Sequence, residues 1–202
     1  MKKAARRAAK PPAREMDFEK ITKAIALFLE GIGEDPSRPG LLDTPVRVAR
    51  MCKETLYGTH LDPVEVIKVL SSPGHDEIVL VKDISFYSTC EHHLLPFLGV
   101  AHVAYIPSGG RLCGISKLAR VVEVASRRLN VQEHMTTVIA DSIMNALRPQ
   151  GVIVVVEAEH LCMTMRGVSK PGSKTVTSVV RGIFRERPET RAEALALIRG
   201  KD

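Results

Sequence analysis

Cys90, Glu91, His92 and His93 stand side by side in this sequence, and His160 and Cys162 form a second group further along. Thiolate and imidazole are the donors zinc prefers, and a Cys-x-x-His spacing lets both side chains turn to one ion. A lone Cys or His is ordinarily a packed side chain; two such groups, each beside a predicted strand end, point to a metal. Two readings of the set stay open. Cys90, His93, His160 and Cys162 can close a four-ligand structural site, or Cys90, His93 and Cys162 can bind and leave a fourth position open, which is the catalytic pattern. The second leaves His92 and His160 as unliganded imidazoles suited to proton transfer near neutral pH. Spacing does not separate the two. His160 and Cys162 are two apart, so in an extended strand both would face one side. Cys52 and Cys113 have no neighbouring His or Cys in sequence and are read as packing residues.

A second set of residues suits an anion. Ser116-Lys117-Leu118-Ala119-Arg120 reads as a helix start with Ser116 as its cap. Free N–H groups and the dipole make such a start attractive to phosphate. Lys117 and Arg120 oppose the macrodipole there, and a bound anion would offset that; the plain alternative is a solvated basic face. Arg47 and Arg50 are three apart on another predicted helix, and Arg166 follows the second Cys/His group. The planar guanidinium fork donates to phosphate in bidentate fashion. Gln132-Glu133 opens a further helix. A carboxylate there accepts two parallel N–H bonds, which fits the N1–H and 2-amino edge of guanine, although a helix-start Glu also simply favours the dipole.

These residues must be positioned by regular elements, and the hydrophobic periodicity supplies them. Phe18, Ile21, Ile25, Phe28 and Ile32 recur at helical spacing up to Gly31 and Gly33. Thr44 and Pro45 predict a helix with Thr44 as N-cap and Pro45 first, running to about Gly58. Pro63–Leu70 predicts a short third helix. Glu77–Ser88 and Gly99–Ile106 read as strands, Ser116–Leu129 and Gln132–Leu147 as helices, Val152–Glu159 and Thr175–Phe184 as strands, and Glu189–Arg199 as a last helix. The order predicts an α+β fold, with an antiparallel sheet backed by a helix pair.

Composition bounds the function. The 202 residues carry 29 basic and 23 acidic side chains, a net charge of +6. Lys2, Lys3, Arg6, Arg7, Lys10 and Arg14 face Glu15 alone at the start, so the basicity belongs to a tail. That, and the absence of Trp, disfavours nucleic acid as a partner. No stretch is apolar enough for a membrane span. The basic start runs into Pro11-Pro12 without an apolar segment, so the expected location is the cytoplasm, where the four cysteines stay reduced. The expected organisation is a disordered basic tail over 1–15, a helical segment over 16–73, a catalytic domain over 74–188 and a terminal helix over 189–202.

Phe86-Tyr87-Ser88-Thr89-Cys90-Glu91-His92-His93, Ala104-Tyr105-Ile106-Pro107, Gly114-Ile115-Ser116-Lys117-Leu118-Ala119-Arg120, Val131-Gln132-Glu133, His160-Leu161-Cys162, Arg166-Gly167 and Ser173-Lys174-Thr175 together resemble the signature of the type I, zinc-dependent GTP cyclohydrolases. The likeness runs from about Phe18 to Phe184. It implies the tunnelling fold, with a four-stranded antiparallel sheet, a helix pair on one face and preceding N-terminal helices. It implies a homodecamer of two pentamers with active sites between subunits. It implies catalytic Zn2+ on Cys90, His93 and Cys162, guanine held by Glu133 with help from Gln132, and triphosphate bound by Lys117, Arg120 and Arg166, with Arg47 and Arg50 reaching in. His92, His160 and Ser116 would move protons. The implied reaction is hydrolytic opening of GTP at C8, loss of formate, and rearrangement and closure to 7,8-dihydroneopterin triphosphate. The sequence departs from the family pattern at His134-Met135, where Arg-Leu is common, at Val138, where Gln is common, and in a slightly longer Ser108–Arg111 stretch.

Overall fold

The computed structural model of the protein describes residues 15–72 and 74–200. The disorder expected of the basic tail therefore falls outside the described residues, Glu15 apart. Helix α1 (Phe18–Gly31) is capped by Asp17, whose carboxylate accepts from the Lys20 N–H at 2.9 Å. Helix α2 (Thr44–Thr55) already includes Thr44, so the predicted cap lies inside the helix and Pro45 is its second residue. The helix stops at Thr55, and Tyr57–His60 forms a separate 3-10 turn. Pro63–Val66 is another single 3-10 turn rather than a helix to Leu70, and strand β1 (Val69–Ser71) follows. Val64, Val66, Ile67 and Val69 crowd this stretch with β-branched side chains, which lowers its helical preference. Contacts divide the described chain after Glu54. The 3-10 turns pack on the later helices, so the helical segment expected to reach residue 73 yields its last part to the larger unit.

That unit continues with β2 (Val79–Cys90), β3 (Pro96–Ile106), β4 (Arg111–Cys113), α3 (Ile115–Ser126), β5 (Leu129–Asn130), α4 (Gln132–Leu147), β6 (Gly151–His160), the helical turn α5 (Leu161–Thr164), β7 (Thr175–Gly182), the turn α6 (Ile183–Glu186) and α7 (Pro188–Arg199). The sheet order is β5-β2-β3-β6-β7. Its four long strands are antiparallel neighbours, as the sequence predicts. The count of four needs correcting: β5 adds in parallel beside the end of β2, with Thr89 opposite Leu129 and Cys90 opposite Asn130, and β1 pairs with β4 in a separate ribbon. A two-residue strand leaves no periodic trace in sequence.

Helices α3 and α4 cover one face. Leu118, Val121, Val122 and Ala125 from α3 and Met135, Ile139, Ile143 and Leu147 from α4 are buried against Phe97, Ala101, Val103 and Tyr105 of β3 and the even-numbered valines of β6. On the other face Ala104, Ile106, Ile153 and Val155 pack with Phe184 and Ala194. β6 is thus buried on both sides, which explains its unbroken run Val152–Val156. Gly99 lets β3 and β6 approach, because a Cβ there would run into the Glu157 carbonyl oxygen. The longer Ser108–Arg111 stretch also has a structural use. Arg111 donates from Nε to the Leu147 carbonyl at 2.8 Å and from Nη2 to the Ala146 carbonyl at 3.0 Å, closing the C-terminus of α4.

Candidate active site

The antiparallel crossing of β2, β3 and β6 brings the two Cys/His groups to one end of the sheet. Cys90 is the last residue of β2 and is buried, and Phe97 of β3 stands opposite His160, the last residue of β6. The turn between β2 and β3 is held by Cys90 N–H donating to the Leu95 carbonyl at 2.8 Å and by Leu94 N–H donating back to Cys90 at 2.9 Å. His92 and His93 lie in that turn, exposed, with their rings edge to face at 6.3 Å. After His160 the chain leaves the extended conformation. Cys162 sits on the helical turn α5, so the expectation that it shares a strand face with His160 is corrected.

That turn bears on the two metal readings. The ligand atoms of Cys90, His93 and Cys162 lie within 4.8 Å of one another, and His160 is not in the group. Zinc bonds of about 2.3 Å to sulfur and 2.0 Å to nitrogen put tetrahedral donors a little under 4 Å apart, so the group closes on an ion with small adjustments. Two sulfurs and one imidazole nitrogen form a donor set of the kind zinc takes. Burial, and then a hydrogen bond with Cys90, push the Cys162 thiol up, the signature of two thiols crowded together.

His160 is occupied elsewhere. Its ring stacks on Phe97 with centroids 4.5 Å apart and planes 2° from parallel, and its Nε2 meets Gln132 Oε1 at 2.7 Å. Burial draws its pKa below the ordinary histidine value, partly offset by the nearby Glu133 carboxylate. Glu133 is exposed on the first turn of α4. Arg166 Nη1 lies 2.9 Å from His93 Nε2. Cys90, His92, His93, Gln132, Glu133, His160, Cys162 and Arg166 therefore form one neighbourhood.

Below it lies a knot that no local pattern of residues singles out. The Ser88 hydroxyl donates to the Ser126 carbonyl at 2.7 Å, and Asn130 Nδ2 donates to Ser88 Oγ and the Ala125 carbonyl, each at 2.9 Å. Glu91 N–H donates to the Asn130 carbonyl at 3.1 Å. Phe97 is the other residue missed, and its place at the start of the inward series Phe97, Gly99, Ala101, Val103 was the available signal.

Ser116, Lys117 and Arg120 are not among this neighbourhood. Helix α3 begins at Ile115 with Gly114 as N-cap, so Ser116 lies within the helix and caps nothing. The far end of α3 touches the metal end of the sheet through Ser126. Ser116 and Lys117 thus stand about 15 Å away along the helix, at ~1.5 Å per residue. Arg120 lines an open cleft of about 450 Å³ between α3 and residues 82–85 of β2. Arg47 and Arg50 are exposed on α2 in the other unit, Arg47 paired with Asp43 at 3.0 Å.

Against known proteins, a family model described as GTP cyclohydrolase I matches residues 21–199. The chain is 62% identical over 186 residues to the GTP cyclohydrolase 1 of Caldanaerobacter subterraneus subsp. tengcongensis, covering 92% of this chain and 99% of the relative. It is 60% identical, with the same coverage, to the GTP cyclohydrolase 1 of Thermoanaerobacter pseudethanolicus. The apo crystal structure of the archaeosine synthase QueF-Like aligns with 55% of this chain and 97% of its own, at 20% identity and a TM-score of 0.44.

Proposed function

The chain belongs to the GTP cyclohydrolase I family, and on that premise we propose that one end of its sheet holds the reacting purine while the basic helix start of another copy holds the triphosphate. The protein is a hydrolase that converts GTP to 7,8-dihydroneopterin triphosphate with release of formate, the first step of pterin synthesis. The observation that carries the division of labour is the gathering of Cys90, His93 and Cys162 beside His160 and Glu133.

Cys90, His93 and Cys162 would hold zinc. Bound there, zinc supplies Lewis acidity and so activates water for hydrolysis at neutral pH. The chain's own residues do the rest. Glu133 accepts from N1–H and the 2-amino group and so fixes which purine enters and where C8 lies. His92, exposed in the turn, gives a proton to N7 as water adds at C8; the C8–N9 bond then breaks, N9 takes up the proton lost from the new C8 hydroxyl, and the imidazole ring opens to a formamide. A second hydrolysis frees formate. His160 and Ser116 move protons at the ribose during the rearrangement that precedes ring closure. Arg166 turns from His93 to the substrate's phosphates when His93 takes metal. With His93 as a ligand through either ring nitrogen, its Nε2 would have no lone pair left to accept from Arg166, because a neutral imidazole bound through one nitrogen carries hydrogen on the other.

Ser116, Lys117 and Arg120 lie on the first half of α3, whose other end meets the metal end of the sheet. The sheet also leaves the β7 edge and most of the β2 edge without a strand partner among the described residues. Open edges invite pairing with a second copy. Both features support the tunnelling-fold ring, a pentamer doubled to a decamer, with sites completed between subunits. All four cysteines are free thiols, which supports the cytoplasm as the location, and no helix among the described residues is long and apolar enough to cross a membrane.

Incubating zinc-loaded protein with GTP is expected to release formate and a pterin fluorescent after oxidation, both abolished by a chelator and restored by zinc. A folded, zinc-containing protein giving neither product would overturn the assignment of the site. The shared site has its own test. Lys117→Ala and His93→Ala are each expected to be nearly inactive, and mixing them with subunit exchange is expected to recover roughly a quarter of the sites, since each site draws on two copies. Sites built within one chain would recover nothing.

A further inference from the structure

Gln132 opens α4 with its side chain turned into the protein, 1% exposed. Its Nε2 meets three acceptors at 3.1 Å: the Val156 carbonyl, the Thr175 carbonyl and Thr177 Oγ1. The hydroxyl protons around it leave one consistent arrangement. The Thr136 hydroxyl donates to the Gln132 carbonyl at 2.7 Å, so in the 2.7 Å pair between Thr136 and Thr177 the proton comes from Thr177. Thr177 Oγ1 is then free to accept from Gln132 Nε2. The amide cannot be turned end for end, because its oxygen would face two carbonyl oxygens.

With its nitrogen so fixed, Gln132 presents Oε1 to His160 Nε2 at 2.7 Å. An amide oxygen only accepts, so the hydrogen lies on Nε2 of the imidazole, and Nδ1 is left with its lone pair. Phe97, parallel to the ring at 4.5 Å, holds the plane against tilting. Plane, rotation and tautomer of His160 are therefore set by side chains from α4, β3 and β7.

We propose that Gln132 is a positioning residue for the reaction, acting through His160 by holding the Nε2–H tautomer with Nδ1 directed to the substrate, and that it does not read guanine with its side chain. This departs from what the family resemblance implied for Gln132, whose amide is committed at both ends inside the protein. The inference rests on the reading of His160 as a proton-moving residue. A wrong tautomer in such a residue presents N–H where a lone pair is needed, which stops the transfer while leaving the substrate's other contacts in place.

The test uses the zinc-loaded enzyme labelled with nitrogen-15 in histidine, the His160 signals being assigned by their loss in His160→Asn. In the wild type the protonated ring nitrogen is expected to be Nε2. Gln132→Met, which keeps the length and removes the acceptor, is expected to give a mixed tautomer, a kcat about 10- to 100-fold lower, an unchanged zinc content and a KM for GTP within about twofold of wild type. Combining Gln132→Met with His160→Asn is expected to be no slower than His160→Asn alone, as coupling through one residue requires. A raised KM with kcat preserved would return Gln132 to guanine binding and overturn the proposal, as would a wild-type His160 protonated on Nδ1. A slow His160→Asn together with an unchanged tautomer in Gln132→Met sinks the positioning role alone. Wild-type turnover in His160→Asn sinks the reading on which it rests. If Gln132→Met does not fold, the wild-type spectrum decides, with Thr177→Val, which loosens the amide nitrogen, as the second variant.

Discussion

Cys162→Ala is expected to abolish metal binding and turnover together. Only Cys90 and His93 would remain of the three donors whose ligand atoms gather within 4.8 Å, and two donors hold zinc far less tightly than three. Zinc per chain is expected to fall from about one to nearly none after dialysis against a weak chelator. The Lewis acid contributes several kcal/mol to hydrolysis, and each ~1.4 kcal/mol is tenfold, so formate release should drop by about a thousandfold or more. Cys162 sits half-buried on a four-residue turn at the end of β6, so the far-ultraviolet circular dichroism should be unchanged, separating loss of the ion from loss of the fold. A variant without zinc that still released formate at the wild-type rate would remove the metal from the reaction.

Glu133→Ala tests the other end of the substrate. The carboxylate is exposed on the first turn of α4, and the residue's backbone carbonyl accepts from the Thr137 hydroxyl at 3.0 Å. Two hydrogen bonds from guanine to a charged acceptor are worth about 1.5–3 kcal/mol each. Their loss is expected to lower kcat/KM for GTP by about 10²- to 10⁴-fold, with zinc content untouched. Inosine triphosphate lacks the 2-amino group and can make only one of the two bonds. The wild type should therefore prefer GTP strongly, and the variant should treat the two nearly alike. A variant that keeps the wild-type ratio would show that another group reads the base.

Much of this was legible because the relevant signals are local. Cys-x-x-His with a second Cys/His group announces a metal wherever the strands run, and the helical repeat of α3 and α4 fixes which faces meet the sheet. That His160 stands apart from the Cys90, His93 and Cys162 group was not legible, because it is held by a residue 28 positions away on another element. The role of Gln132 was hidden for the same reason: nothing beside it in sequence shows that Val156, Thr175 and Thr177 converge on its amide. Ser116 looked like a cap because it is the last small polar residue before an apolar run, yet the helix starts one residue earlier, at Ile115. The turn at Cys162 was missed because no Gly or Pro between Glu159 and Cys162 marks the change from strand to helical turn.

Strand β5 is only two residues long, but it ties the loop carrying Cys90 and His93 to the start of α4. Asn130 pairs with Cys90 and grips Ser88, and Glu133 follows it by one short step of backbone. No loop intervenes between the two that could stretch or fold. On the proposed roles, the residue that would grasp the base and those that would gather around the ion are two jaws of a fixed-gauge caliper. A base of matching edge but different span, such as a single-ring analogue of guanine, fills one jaw and leaves the other empty. On those roles, selectivity for a fused purine would be a property of length, built into the framework, in addition to the hydrogen bonds at its rim.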